Sequence, residues 1–329
     1  MFTRIFKYHT NFQIVFILLS ALALWLPAFI KSVAMLDVFD LSFGYNILYL
    51  KIYSTPWLYT GLAFVLLLAE ALVLNTMLSE FKIAPKNSFL PAFLYILLMS
   101  SSPNLLTLHP FIIVNAFIIT ILMLLFEIKN KDSGYREIFL CGILTGLASL
   151  FYFKAAGLLI IVWIFILLYR PFTWREWFIS LLGVATVYIY LFAYFFLTDQ
   201  LLAVFHEYRR VFSGMSFGGN FGTVSVFQYI TFALIVVLFL VSSVKMFVLS
   251  HEKVILVRKA FYAIFWLLAV NALSVLFLEK NLTYEFSYTL LPLSVLVAYY
   301  YLNLKKILFG EIILGLFIVS IILQKIFLG

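Results

Sequence analysis

The chain has 329 residues, of which 65% are hydrophobic and 11% charged, and its mean hydropathy is +1.13. Soluble domains carry about 45–50% apolar residues, so this composition excludes an ordinary soluble protein and indicates an integral membrane protein. The net charge of +8 is spread through short connectors rather than gathered in a basic domain, which argues against nucleic-acid binding. The sequence has no glycine loop followed by lysine and serine or threonine, so it contains no nucleotide-binding motif.

Eleven apolar stretches, each long enough or nearly long enough to cross a bilayer, follow one another along the chain. Because lipid offers the backbone no hydrogen-bond partner, such stretches form helices, and one span needs about 20 residues. Runs such as 61–69 do not alternate apolar and polar residues, so a β-barrel is not expected. The sequence therefore predicts an all-α, polytopic membrane protein with about 11 transmembrane helices. The expected spans are 12–30, 57–79, 89–102, 110–127, 137–153, 155–169, 177–198, 225–249, 260–278, 287–303 and 307–327. The third and sixth are short, which predicts that they are tilted, broken or only partly inserted.

The distribution of lysine and arginine predicts the orientation, because basic residues near span ends stay preferentially on the cytoplasmic side. With a cytoplasmic N-terminus, fifteen of the 22 basic residues lie on the cytoplasmic side. The seven on the opposite side are Lys31, Lys51, Lys154, Arg209, Arg210, Lys280 and Lys325. An odd number of spans then places the C-terminus outside. The longest segments between spans, 31–56 and 199–224, both lie on the predicted outer side.

The first outer segment, 31–56, contains Asp37 and Asp40, which are three residues apart and would share one face of a short helix. Two carboxylates on one face can hold a divalent cation or act as a general base. The alternative is an interfacial helix that keeps its acidic residues in water or uses them as caps.

The second outer segment, 199–224, places charged residues ahead of a glycine-rich run, and these are Asp199, His206, Glu207, Arg209 and Arg210. Arg209 and Arg210 could clamp a phosphate or a lipid diphosphate, and the glycines could let a loop close over it. The alternative is that the arginines pair with Glu207 or with lipid headgroups while the glycines form a flexible connector.

Two further ionisable residues lie apart from these segments. Lys154 stands between the fifth and sixth spans, where it would either snorkel to headgroups or hold an anionic headgroup in an outward cavity. Glu70 stands near the centre of the second span, where an ionised carboxylate is costly. It is either a functional residue or a neutral group hydrogen-bonded to another span, with Asn115 and Asn271 as expected partners.

No resident metal centre is predicted. The four histidines, His9, His109, His206 and His251, are predicted two inside and two outside, so they cannot share one centre. The one metal expectation is a divalent cation at Asp37 and Asp40, and the cofactor is otherwise undetermined.

Three segments carry a resemblance to known proteins. Residues 142–184 (GILTGLASLFYFKAAGLLIIVWIFILLYRPFTWREWFISLLGV), with SSPNLLTLHPF before them and YFFLTD after them, resemble an uncharacterised family of bacterial polytopic membrane proteins, domain of unknown function 6427. That family brings no established activity. More distantly, residues 1–224 resemble the membrane module of GT-C glycosyltransferases, which use polyprenyl-phosphate sugars. Within a single transmembrane domain, 1–329, residues 225–329 would then be additional C-terminal helices.

The GT-C resemblance implies roles for the outer residues. Asp37 or Asp40 would match the catalytic acid of the first outer loop, and Lys154 the basic residue that faces the lipid phosphate. Arg209 and Arg210 would be a looser match. The chain departs from the pattern in its short first loop, in lacking an Asp-Glu pair there, and in lacking a large outer domain, so a scaffold without activity is an alternative.

The implied function is transfer of a sugar from a polyprenyl-phosphate donor on the outer face of the bacterial inner membrane, for cell-envelope glycan assembly. A transporter or flippase of a lipid-linked or anionic solute is a second hypothesis, favoured by Glu70, Asn271 and the short third span. A non-catalytic membrane subunit of an envelope or secretion complex is a third, favoured by the few polar residues.

Overall fold

The all-α prediction is confirmed by the structure, a computed structural model. It describes residues 6, 10–31, 33–35, 42–128, 133–171, 173–213, 225–250, 255–276, 286–304 and 307–328. The described residues are 86% helical, and no strand occurs among them.

Thirteen α-helices are present in the described residues. They are α1 (Thr10–Ile30), α2 (Phe43–Ile52), α3 (Pro56–Glu80), α4 (Leu90–Met99), α5 (Pro110–Ile128), α6 (Tyr135–Phe151), α7 (Leu158–Tyr169), α8 (Trp174–Leu197), α9 (Leu201–Ser213), α10 (Val226–Ser250), α11 (Ile255–Leu276), α12 (Leu290–Leu302) and α13 (Ile307–Leu328). Short 3₁₀ turns occupy Pro103–Leu105, Phe153–Gly157 and Phe286–Thr289. Proline stands in the first turn of α3, α4 and α5, where its missing N–H costs no helix hydrogen bond.

Seven of these helices are long and apolar enough to cross a membrane: α1, α3, α5, α8, α10, α11 and α13. The apolar helices over Leu90–Met99, Phe153–Tyr169 and Phe286–Leu302 are shorter, at 10–17 residues. The expectation that the third and sixth stretches are short is therefore confirmed, and the tenth is short as well. Helices α2 and α9 lie in the two segments predicted to be outside the membrane.

The core is built around α4 and α12. Every residue of α4 is buried, and so is every residue of α12 except Leu302. A helix that is buried on all sides must be surrounded by others, and α4 packs against α12, α3 and α1. The long helices, by contrast, expose large apolar side chains such as Leu19 and Leu197, as expected of surfaces that face lipid.

Helices α6 and α8 cross at very short distance. A Cβ atom added to Gly142 of α6 would lie 2.2 Å from the backbone oxygen of Ser180, and one added to Gly183 of α8 would lie 2.5 Å from that of Phe139. Only hydrogen fits at these two positions, so the backbones touch directly. Trp163 of α7 strengthens the crossing by donating from Nε1 to Ser180 Oγ at 2.9 Å.

Candidate functional site at the predicted outer face

Helix α9 is positioned by a tight turn at the end of α8. Asp199 adopts a left-handed backbone conformation with φ 56°. This allows Gln200 N to donate to Phe195 O at 2.9 Å, which closes the last turn of α8. Aspartate tolerates left-handed φ better than most residues, so the chain can reverse here without glycine. Helix α9 begins two residues later, at Leu201, directly beside the end of α8.

Tyr208 of α9 joins three segments that are far apart in the sequence. Its ring lies 6.2 Å from that of Phe43, at the start of α2, and 6.0 Å from that of Phe153, in the turn after α6. Phe43 also contacts Phe195 near the end of α8, with ring centroids 5.1 Å apart. We call Phe43, Phe153, Phe195 and Tyr208 the Tyr208 cluster. It brings the first outer segment, the Lys154 turn and the second outer segment to one place.

Helix α2 is held at this place by further contacts. Gly44 lies against Leu150 and Phe151 at the end of α6. Tyr45 is fully buried, and its hydroxyl donates to Leu108 O at 3.4 Å, in the connection that leads into α5. The first outer segment is thus anchored to the helical bundle rather than lying apart from it.

Lys154 lies in the 3₁₀ turn that follows α6, next to Phe153 of the Tyr208 cluster. Its Nζ is 5.8 Å from the ring centroid of Tyr152, a distance at which an ammonium is attracted by the aromatic face. Tyr152 is itself buried, with edge contacts to Phe111 at 5.0 Å and to Tyr288 at 5.5 Å. The lysine is therefore supported by a fixed aromatic platform.

The other predicted residues of the second outer segment follow the amphipathic pattern of α9. His206, Arg209 and Arg210 are exposed, and Glu207 is half-buried. Burial raises the pKa of Tyr208, which stays protonated at neutral pH. In the sequence, Arg209 directly follows Tyr208 and Lys154 directly follows Phe153, the two residues whose rings are in contact.

The predicted acids Asp37 and Asp40 lie outside the described residues. Within the described part of the chain there is no group of three or more His, Cys, Asp or Glu residues that could hold a metal ion.

Comparison of the chain with protein-family models, with curated proteins and with solved structures found no match.

His109 contributes to the same face, although its place in the sequence indicates no role. Its Nδ1 accepts a hydrogen bond from Ile112 N at 3.2 Å, which satisfies one of the free amides at the start of α5. Burial lowers the pKa of His109 to about 3, so the imidazole is neutral at physiological pH. Because His109 follows Leu108, this cap also fixes the carbonyl that receives the Tyr45 hydroxyl.

Glu70 belongs to a separate, buried network inside the bundle. The Tyr95 hydroxyl of α4 donates to Glu70 Oε2 at 2.5 Å, and Asn115 Nδ2 of α5 donates to the Tyr95 oxygen at 3.2 Å. The expected partner Asn115 is thus reached through Tyr95. The expectation that Asn271 is a partner was wrong, because Asn271 donates to Tyr288 O at 3.0 Å. The network links three helices and lies among buried residues.

Two tyrosines and one helix crossing that organise the structure were not predicted from the sequence. Tyr95 and Tyr208 carry no spacing signal that separates them from the other 18 tyrosines. The α6–α8 crossing did have a signal, since Gly142 and Gly146 show the small-residue spacing at which membrane helices approach closely.

Proposed function

We propose that this protein crosses the bacterial inner membrane about 11 times, with a cytoplasmic N-terminus and an outer C-terminus. The seven long apolar helices, the three shorter apolar segments and α6 together provide this number of candidates. The asymmetry of lysine and arginine supports the orientation, and it places α2 and α9 on the outer surface.

On this outer surface we propose a GT-C-like transfer of a sugar from a polyprenyl-phosphate donor to a hydroxyl acceptor, as part of cell-envelope glycan assembly. Residues 1–224 would form the GT-C-like module, and residues 225–329 the additional C-terminal helices. One observation carries the proposal: the Tyr208 cluster joins the first outer segment, the Lys154 turn and α9. A GT-C-like reaction needs these segments together, since the acid and the phosphate-binding cations come from different ones.

Each predicted residue has a defined task in this reaction. Asp37 or Asp40 removes the proton from the acceptor hydroxyl, whose oxygen attacks the anomeric carbon of the sugar. The bond between that carbon and the phosphate oxygen breaks, and polyprenyl phosphate leaves. Lys154, together with Arg209 or Arg210, stabilises the negative charge on the leaving phosphate. If a divalent cation takes part, Asp37 and Asp40 are the carboxylates available to hold it.

The test is the pool of polyprenyl-linked sugars in cells that lack the protein, complemented with variants at matched expression. We expect the pool to rise in the deletion strain and to fall again with the wild type, but not with the Asp37→Asn or Asp40→Asn variant that removes the base. Asp199→Asn is the matched control, because asparagine accepts the left-handed backbone of this exposed outer residue. An unchanged pool on deletion, or full rescue by both test variants, would overturn the proposal.

A second candidate function, transport or flipping of a lipid-linked or anionic solute, is favoured by the Glu70 network. A carboxyl group buried among three helices is expensive to keep in a membrane and is typical of transport pathways. In this case Glu70→Gln would abolish activity, while the Asp37 and Asp40 variants would retain it. The same complementation experiment therefore separates the two functions.

A further inference from the structure

A cavity of about 320 Å³ opens on the face opposite the Tyr208 cluster. It lies where α3 and α12 end and where α11 begins, which is the predicted cytoplasmic side. The side chains in its lining that carry polar groups are Ser79, Lys82, Lys86, Tyr299 and Asn303. The cavity plays no part in the proposed sugar transfer.

The cavity is basic and partly apolar. Lys82 and Lys86 are both exposed, so their ammonium groups keep full access to a ligand at the cavity mouth. None of the described residues that line the cavity is acidic, and the nearby Glu80 is not among them. Val257 and Leu302 supply apolar surface beside the two cations. This combination suits an anionic group that carries an apolar attachment.

The backbone at Lys82 points to a role for its side chain. Lys82 has φ 60°, a left-handed conformation that glycine adopts readily and that side chains disfavour. Ile83 N and Ala84 N both donate to Leu78 O, at 2.9 and 3.0 Å, so this turn closes the end of α3 in the manner that usually selects glycine. At this position glycine would close the helix end with less backbone strain than lysine does. The lysine, however, places a cation at the cavity.

The volume is compatible with a small ligand. Ligand pockets span about 300–1,000 Å³, and this cavity stands at the lower end of that range. It has room for a phosphate group with a small attached moiety.

We propose that this cavity binds a phosphate group through Lys82 and Lys86, carried by an anionic phospholipid headgroup or by a small soluble phosphate ester. The site is independent of the proposed sugar transfer. Its cations lie where anionic lipids of a cytoplasmic leaflet would reach them.

The test uses the full chain purified in a neutral detergent. The melting temperature is followed during titration with short-chain phosphatidylglycerol, with phosphatidylcholine of the same chain length, and with glycerol phosphate. We expect Lys82→Gly and Lys86→Gln each to weaken phosphatidylglycerol binding about fivefold, and the double variant about thirtyfold. Lys82→Gly places the preferred residue at φ 60°, so the helix end is preserved while the charge is removed.

The control is Arg136→Gln, which removes an exposed cation on the same predicted face but away from the cavity. Unchanged binding by this control, with loss in the lysine variants, supports the site. Equal protection by glycerol phosphate would identify a soluble ligand, and protection by the lipid alone would identify a headgroup. The proposal is overturned if neither phosphatidylglycerol nor glycerol phosphate protects the wild type more than phosphatidylcholine does, if both lysine variants bind like wild type, or if the control loses as much.

Discussion

Replacing Gly142 with alanine should destabilise the protein, because it adds one methyl group at the α6–α8 crossing. The new Cβ would stand 2.2 Å from Ser180 O and 3.0 Å from Gly183 Cα. Non-bonded carbon and oxygen atoms settle at about 3.3–3.6 Å, so the two helices must separate by roughly 1 Å at this point. The obstacle is backbone rather than a movable side chain, so local rotamer changes cannot relieve it.

The size of the effect follows from two opposing contributions. Overpacking costs about 1–3 kcal/mol, and a backbone clash belongs at the upper end of that range. Alanine is a better helix former than glycine by about 0.8–1 kcal/mol, which offsets part of the cost. We therefore expect Gly142→Ala to lower the free energy of unfolding by about 2 kcal/mol.

The measurement is an unfolding titration with sodium dodecyl sulfate in mixed micelles, followed by far-ultraviolet circular dichroism. Gly315→Ala in α13 is the matched control, because a Cβ there meets no atom within 4 Å. It should be neutral or stabilising by up to about 1 kcal/mol, so it should not show the loss of stability expected for Gly142→Ala. If Gly142→Ala proves as stable as Gly315→Ala, the close crossing is refuted.

Combining Gly142→Ala with Gly183→Ala should lower the free energy of unfolding by less than the sum of the two single changes, since one separation of the helices relieves both clashes.

Three further predictions concern other parts of the molecule. Glu70→Gln keeps the acceptor for Tyr95 and should change the free energy of unfolding by less than about 1 kcal/mol. Glu70→Leu leaves the buried hydroxyl proton of Tyr95 without an acceptor and should cost about 2–3 kcal/mol in the same titration. The pKa of His109 falls from about 6.5 in the unfolded chain to about 3 on folding, so its stabilisation is present above pH 6.5 and is lost as pH falls towards 3. From pH 7.5 to 5.5 the wild type should lose about 1.4 kcal/mol more than His109→Asn does, and equal losses would contradict this cause. Tyr208→Ala should release α9 and increase proteolysis in this helix about tenfold. Tyr208→Phe keeps the ring contact with Phe43 and should be cleaved almost like wild type. Equal cleavage of the two variants would contradict the role of the rings.

The positions of the long helices could be predicted closely from the sequence. The stretch expected at 110–127 is the helix Pro110–Ile128, and the one expected at 57–79 is Pro56–Glu80. The prolines at these starts mark the boundaries, because the missing N–H of proline costs no hydrogen bond in the first turn of a helix. Short helices were harder to delimit. The sixth stretch divides into a 3₁₀ turn and α7 at Leu158, directly after Gly157.

The candidate site was predictable only in its parts. Lys154 and Arg209 stood out because they are basic residues on the predicted outer side. The residue that joins their segments, Tyr208, is one of 20 tyrosines, and its partner Phe43 lies 165 positions earlier in the chain. The hydrogen-bond partners of Glu70 were likewise predicted only in part. Any buried amide on another span could meet the need of this carboxyl group for a hydrogen-bond partner, so the sequence could not select one.

The sequence by itself determined that this chain is helical and belongs in a membrane, because each apolar stretch must satisfy its own backbone hydrogen bonds wherever it lies. Only the tertiary structure decided which helices touch. Lipid is as apolar as leucine, so hydrophobicity does not select one helix partner over another. The selection falls to a few local features, such as the glycines at 142 and 183, the Glu70 network and the ring of Tyr208. Their contacts form between residues that chain order does not pair.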